Sequence, residues 1–468
     1  MILSKELNGL QIFVLGLGRT GLSILDYLKH SGANVACWDD NERARVYAQS
    51  LGYTLEDLHK KSNWKNTDRL IISPGIAFLY PEPHKVVKNA RESNVNIDND
   101  IGLFFSSLHK IEWDRFQKQP KVIAITGSNG KSTTSFLIHH ILQKIGIPSE
   151  IGGNFGKPVL SLKPFTDGEI KIIELSSYQI EAAKCLQPDI SVFLNFSPDH
   201  LERHGGIGGY FHAKQRLFLT GNADKNIVGL DEKEGKFLFH CLDADRLGCD
   251  LNIPFSSEND LSHYKSSVFI KKGFLIERKG EKQVASIDLR PELDWLKTFN
   301  IQNICAAYAV CRSMNISPKI FSENLKTFKG LPHRNQLVVV RDGIKFINDS
   351  KATNAKSAVN SVNQHSNVHL ILGGVAKRGG IEELLGSMKN VKRVYLIGEA
   401  AELFSKQLGS AINFEISKTL DFAVKSASQN AVSGDSILLA PACASFDQFK
   451  DFEDRGNTFI KLVNELKN

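Results

Sequence analysis

The stretch Gly127-Ser128-Asn129-Gly130-Lys131-Ser132 constrains this chain more than any other. An apolar strand at 122–125 runs into it, and a helix ending at Gly146 leaves it. A glycine-rich turn between strand and helix frees backbone N–H groups that point at an anion beside the helix N-terminus. Lys131 is spaced to reach β- and γ-phosphates, and the Ser132 hydroxyl to join a Mg2+ site. The spacing is shorter than GxxxxGK[ST], because Ile125 stands where the first glycine would. A chance Gly-Lys-Ser in a turn is the bland alternative, and the strand before and the helix after argue against it. The expectation is an ATP-binding α/β domain in the middle of the chain.

At 468 residues the chain is long enough for about three domains of ~150 residues each. The first segment opens with a strand at 12–15, then Gly16-Leu17-Gly18-Arg19-Thr20-Gly21, a helix, and a strand at 35–38 ending in Asp39-Asp40. This is a βαβ unit with a dinucleotide-type glycine fingerprint. Such a turn admits NAD with Asp39 or Asp40 on the ribose, the pyrophosphate of another nucleotide such as a UDP-sugar, or plain strand–helix packing. A strand at 70–72 leads to the turn Ser73-Pro74-Gly75, and the segment 109–120 reads as a linker. In the second segment further strands are expected at 170–175 and 190–196, a hairpin around Lys272-Gly273, and helices at 300–314 and 318–328. The third segment alternates strands (337–340, 345–347, 369–372, 394–397, 436–439) with helices, the pattern of a parallel sheet covered on both faces.

Net charge, 58 basic minus 51 acidic residues, is +7, with the signs interleaved. That allows anionic substrates and does not indicate a nucleic-acid face. Seven scattered cysteines without a CxxC suit reduced thiols in a cytosol. No uncharged apolar run reaches the ~18 residues of a membrane span, and the N-terminus lacks signal-peptide character. A cytoplasmic protein without membrane insertion is expected.

Glu174 ends an apolar strand, where a Mg2+-directed carboxylate belongs. His200 follows the strand at 190–196 and would emerge at the same sheet edge, where ligands gather. A lone histidine there is more often structural. Lys214, in a helix, is by default a solvated surface lysine. In the third segment Asn348-Asp349-Ser350-Lys351-Ala352-Thr353-Asn354, Lys377 and Pro441-Ala442-Cys443-Ala444-Ser445 all follow strands. One such loop is ordinary turn chemistry; three together suggest a pocket for a small carboxylate. Arg334 lies at the hinge from the second segment.

In order, these elements resemble the Mur ligase family from end to end. The stretch 127–133, closing with Thr133, is similar to its ATP loop. The stretches 348–354 and 445–457 resemble its D-glutamate-adding members, and the Asp-Asn-Pro-Arg signature of the diamino-acid-adding members is absent. The resemblance implies three consecutive α/β domains: a Rossmann-like one over 1–108 for a UDP-substrate, a P-loop-type ATPase over 109–329, and a Rossmann-like amino-acid-binding one over 330–468. It implies a ligase acting on UDP-MurNAc-L-Ala, D-glutamate and ATP, as a monomer. UDP would lie near Gly18, Thr20, Asp39, Asp40, Ser73 and Gly75. ATP and two Mg2+ ions would be held by 127–133, Glu174, His200 and Lys214, the last as a carbamate formed with CO2. Asn154 matches a residue at the catalytic centre. Asn300 matches an adenine contact, Arg334 and Asp349 match ATP contacts, and Lys351, Thr353, Lys377, Ser445 and Phe452 match residues around D-glutamate.

Overall fold

A computed structural model describes residues 3–199, 201–221, 223–244, 251–280, 282–292, 300–377, 379–410 and 412–466. The chain divides into two compact units, Met1–Phe328 and Lys329–Asn468. Three sheets carry the described residues, two in the first unit and one in the second.

The first sheet has five parallel strands, in the spatial order Thr54–Leu55, Asn34–Trp38, Gln11–Leu15, Arg69–Ile72 and Asn96–Asn99. The second has nine, ordered Lys282–Asp288, Phe274–Lys279, Ser266–Lys271, Asn252–Ser256, Lys225–Gly229, Ile190–Phe193, Lys121–Thr126, Ile170–Glu174 and Ser149–Gly153. Its central strands are buried along almost their whole length and are mostly apolar, interrupted by the buried Lys171 and Ser191. The hairpin expected around Lys272-Gly273 is present, with both residues at positive φ as a tight two-residue turn demands. A third antiparallel strand, Lys282–Asp288, extends it.

The two sheets of the first unit share one apolar core, which runs from Ile24, Leu28, Phe104 and Phe105 on to Val159, Leu160 and Leu162. The 109–120 segment, expected as a linker, is packed rather than loose. Ile111, Trp113 and Phe116 lie against that core, and the Trp113 ring meets Phe165 at 5.7 Å. Its aromatic content gives the segment apolar surface to bury against that core. The second unit holds a six-stranded sheet, ordered Gln336–Arg341, Ile344–Asn348, Ser436–Leu439, Val368–Gly373, Val391–Ile397 and Phe414–Lys418, parallel except for its first strand. The six described cysteines are free thiols, and Cys249 lies outside the described residues. No described helix is long and apolar enough to cross a membrane.

Candidate active site

The strand Lys121–Thr126 passes through Gly127 at φ +155° and Gly130 at φ +80° into the helix Lys131–Lys144. Both positions need glycine. A Cβ on Gly130 would come within 2.0 Å of Asn303 Oδ1, and one on Gly127 within 2.9 Å of Leu194 Cβ. The loop thus packs flush against the neighbouring strand end and the helix Ile301–Ser313.

Two lysines converge on it. Lys131 Nζ donates to Gly127 O at 2.9 Å and to Ser128 O at 3.2 Å, and Lys214 Nζ donates to the same Gly127 O at 3.0 Å. By default a helical lysine is solvated, whereas the resemblance sets Lys214 at the ATP site; only 1% of it is exposed. It shares the buried face of the helix Ile207–Leu219 with Tyr210, Ala213, Leu217 and Phe218, and its ammonium sits 4.6 Å over the Tyr210 ring. Burial, with the Lys131 charge adding to it, drives the Lys214 amine well below the usual lysine range.

Beside the lysines, Glu174 ends the strand Ile170–Glu174 and is 2% exposed. Its Oε2 accepts the Ser132 hydroxyl at 2.7 Å and its Oε1 accepts Asn154 Nδ2 at 2.9 Å. A hydroxyl and a carboxylate at the mouth of a phosphate loop are the hard oxygen donors that Mg2+ takes, with nucleotide phosphates and water completing its shell. Lys131, Ser132, Glu174, Asn154 and Lys214 are therefore brought together. Thr133 is buried in the first turn of the helix, Ser128 donates to Ser197 O at 2.9 Å, and Asn129 Nδ2 to Ser197 Oγ at 3.1 Å. Asn300 caps the helix Ile301–Ser313, taking Gln302 N at 3.0 Å. His200 lies outside the described residues.

The first sheet offers a second glycine turn at its C-terminal edge. Gly16 has φ +92°, and its carbonyl takes the Ser73 hydroxyl at 2.8 Å. Asp39 Oδ2 accepts the Leu17 backbone N–H at 2.7 Å, closing the turn with a carboxylate. Asp40 is held by His59 Nε2 at 3.1 Å and His84 Nε2 at 2.9 Å, and the His84 bond with its partner keeps the carboxyl below the usual range. Gly18 is exposed and Thr20 half-buried at the helix start, and Gly75 O takes Arg203 at 3.3 Å.

In the second unit the loops after Asn348, Gly373 and Leu439 meet at one sheet edge, tied by Arg455. This arginine, 1% exposed and within the 445–457 stretch but given no role of its own there, donates to Ser350 O at 2.8 Å, Ser350 Oγ at 3.0 Å and Cys443 O at 3.1 Å. Burial lowers it to about 10. Lys351 Nζ lies 5.4 Å over the Phe452 ring, Thr353 is half-buried beside it, and Ser445 is buried. Asp349 bonds to Ser361, and burial raises its carboxyl despite Arg334 nearby. Lys377 stands exposed on the neighbouring loop.

Comparison with known proteins agrees with this layout. Family models described as "Mur ligase MurD-like, N-terminal domain", "Mur ligase middle domain" and "Mur ligase, glutamate ligase domain" match residues 10–97, 125–311 and 333–443. A protein of Roseobacter denitrificans named UDP-N-acetylmuramoylalanine--D-glutamate ligase is 47% identical over 99% of both chains. One of Cereibacter sphaeroides with the same name is 46% identical over 100% of both. Among solved structures, the UDP-N-acetylmuramate-alanine ligase of Thermotoga maritima has the same fold, with a TM-score of 0.53 at 16% identity over 98% of this chain and 100% of that one. With three family domains in sequence and full-length relatives at this identity, the chain belongs to the Mur ligase family.

Proposed function

We propose that the chain is an ATP-dependent ligase joining D-glutamate to UDP-N-acetylmuramoyl-L-alanine in peptidoglycan precursor synthesis. The observation that carries the reading is the convergence of Lys131, Ser132 and Glu174 on one glycine loop; the printed names of the full-length relatives supply the substrates. The domains 1–108, 109–329 and 330–468 would take the UDP-substrate, ATP and D-glutamate respectively. The reading takes the chain as a monomer acting in the cytoplasm, where ATP is supplied.

The terminal L-alanine carboxylate is a poor electrophile. Its oxygen attacks the γ-phosphorus, ADP leaves, and an acyl phosphate forms. Lys131 and the helix N-terminus stabilise the transferring charge. Ser132 and Glu174, with His200, would hold Mg2+, which neutralises phosphate charge when bound. The D-glutamate amine attacks the acyl carbon, the C–O bond to phosphate breaks, and an amide forms with loss of an amine proton. Asn154 orients Glu174, and Lys351, Thr353, Lys377, Ser445 and Phe452 would receive the amino acid. Asn300, Arg334 and Asp349 would contact ATP, and Gly18, Thr20, Asp39, Asp40, Ser73 and Gly75 the UDP end.

Lys214 has the properties that carbamylation needs. Burial and the Lys131 charge both disfavour the ammonium form, and a carbamate, formed by adding CO2 with release of a proton, would turn repulsion from Lys131 into attraction. Loss of activity in Lys214→Ala, partly restored by short carboxylates, is the expected result; full activity without them would remove the carbamate. For the reaction itself, ligated product should form with D-glutamate and neither with L-glutamate nor without an amino acid. Turnover with a different amino acid alone would overturn the substrate assignment.

A further inference from the structure

We infer that Asn195, Gln302 and Asp231 form a buried relay that positions the phosphate loop and ties it to the start of the helix Ile301–Ser313. Asn195 grips the loop twice. Its backbone carbonyl accepts the Ser128 N–H at 3.1 Å, and its Oδ1 accepts the Asn129 N–H at 2.9 Å. Its Nδ2 then donates to Gln302 Oε1 at 2.9 Å, and Gln302 Nε2 donates to Asp231 Oδ2 at 3.0 Å.

The two ends of this chain fix its direction. A backbone N–H can only donate, and an ionised carboxylate can only accept. Both amides between them therefore have one satisfactory orientation. Asn195 and Gln302 are 5% and 3% exposed, so water cannot substitute cheaply for a lost partner.

The far end is equally anchored. Asp231 accepts Ser257 N at 3.1 Å, Ser257 Oγ at 2.8 Å, Glu258 N at 3.3 Å and the Ser256 hydroxyl, at the end of the strand Asn252–Ser256. Gln302 also donates its own N–H to Asn300 Oδ1 at 3.0 Å. Through its side chain Gln302 thus links Asn195, which holds the phosphate loop, to Asp231, which holds the 256–258 loop, and through its backbone N–H it joins the helix cap at Asn300. The relay fixes the backbone at Asn129 and so acts through the shape of the loop, which makes its members positioning residues. The far end is also acidic. Glu232 adjoins Gln302, and burial together with Asp231 raises its carboxyl, so a further carboxylate at 302 would be repelled.

This inference rests on reading 127–132 as the ATP loop. The test is calorimetric affinity for ATP and, separately, for the UDP-substrate, in wild type, Gln302→Leu and Gln302→Glu, with thermal unfolding measured on each. Gln302→Leu removes two hydrogen bonds of the relay and should weaken ATP by at least about tenfold, and Gln302→Glu by more. Affinity for the UDP-substrate should stay within about twofold, which a merely loosened fold would not allow. Unchanged ATP affinity in both variants, or an equal loss for both ligands, would overturn the relay. If Gln302→Leu does not fold, Gln302→Met, which keeps the chain length without the amide, takes its place. A wild-type chain that binds ATP yet ignores D-glutamate would sink the substrate assignment and leave the relay result standing.

Discussion

Two glycine turns, 16–21 and 127–132, look alike as text and are built to opposite electrostatic ends. Each follows an apolar strand, carries a positive-φ glycine and opens a helix. In the first, the Asp39 carboxylate accepts the Leu17 N–H, so one donor of the turn is already taken by an acid. In the second, the loop's inner face receives Lys131 and Lys214, and the helix starts with a hydroxyl aimed at Glu174. The glycines specify the turn; the charges gathered around it select the ligand. A triphosphate with Mg2+ suits the second, and a ligand whose polar groups can share a carboxylate suits the first.

The largest effect that would break this contrast is at Lys131. Lys131→Ala should lower kcat/KM by roughly a thousandfold or more, since it removes charge stabilisation in the transition state. Near-normal turnover would mean the second turn is not the catalytic one. Glu174→Gln comes next. Steady-state rates across a Mg2+ titration should fall by about a hundredfold, and an unchanged metal requirement would move the site away from Glu174. Asp39→Ala should then raise KM for the UDP-substrate about tenfold and leave KM for ATP alone. A shift in the ATP constant would erase the division of labour between the turns.

The glycines themselves give the finest comparison. Gly130→Ala forces a side chain into φ +80° against Asn303 and should cost about 1–3 kcal/mol by chemical denaturation. Gly18→Ala meets nothing within 4 Å at an ordinary φ and should stay within about 0.5 kcal/mol. Equal costs at the two sites would show that position 18 is as confined as position 130.

Much of this arrangement is legible in the residues, and the exceptions have physical causes. The alternation of apolar runs and helices marks the three-domain α/β fold, and a glycine loop between strand and helix marks the phosphate site. The strand Asn252–Ser256 is hidden because Pro254 argues against an interior strand, and Ser149–Gly153 because it ends in two glycines. Lys214 looks like a surface lysine when read alone. Its neighbours at 210, 213, 217 and 218 are apolar at helical spacing, and that stripe was the signal that it faces inward. Gln302 and Asp231 carry no pattern at all, since their role depends on a contact 71 positions apart in sequence. Arg455 falls within the recognised 445–457 stretch, yet its role is hidden because its partners Ser350 and Cys443 lie on two different loops.

The most direct test of the account follows the oxygen that ATP is said to capture. UDP-MurNAc-L-Ala labelled with 18O in its terminal carboxylate would be turned over with ATP, Mg2+ and D-glutamate, and the released phosphate analysed by mass. The account predicts one 18O transferred to each phosphate, in step with ligated product, because the carboxylate oxygen leaves on phosphorus. Product formed together with unlabelled phosphate would contradict it.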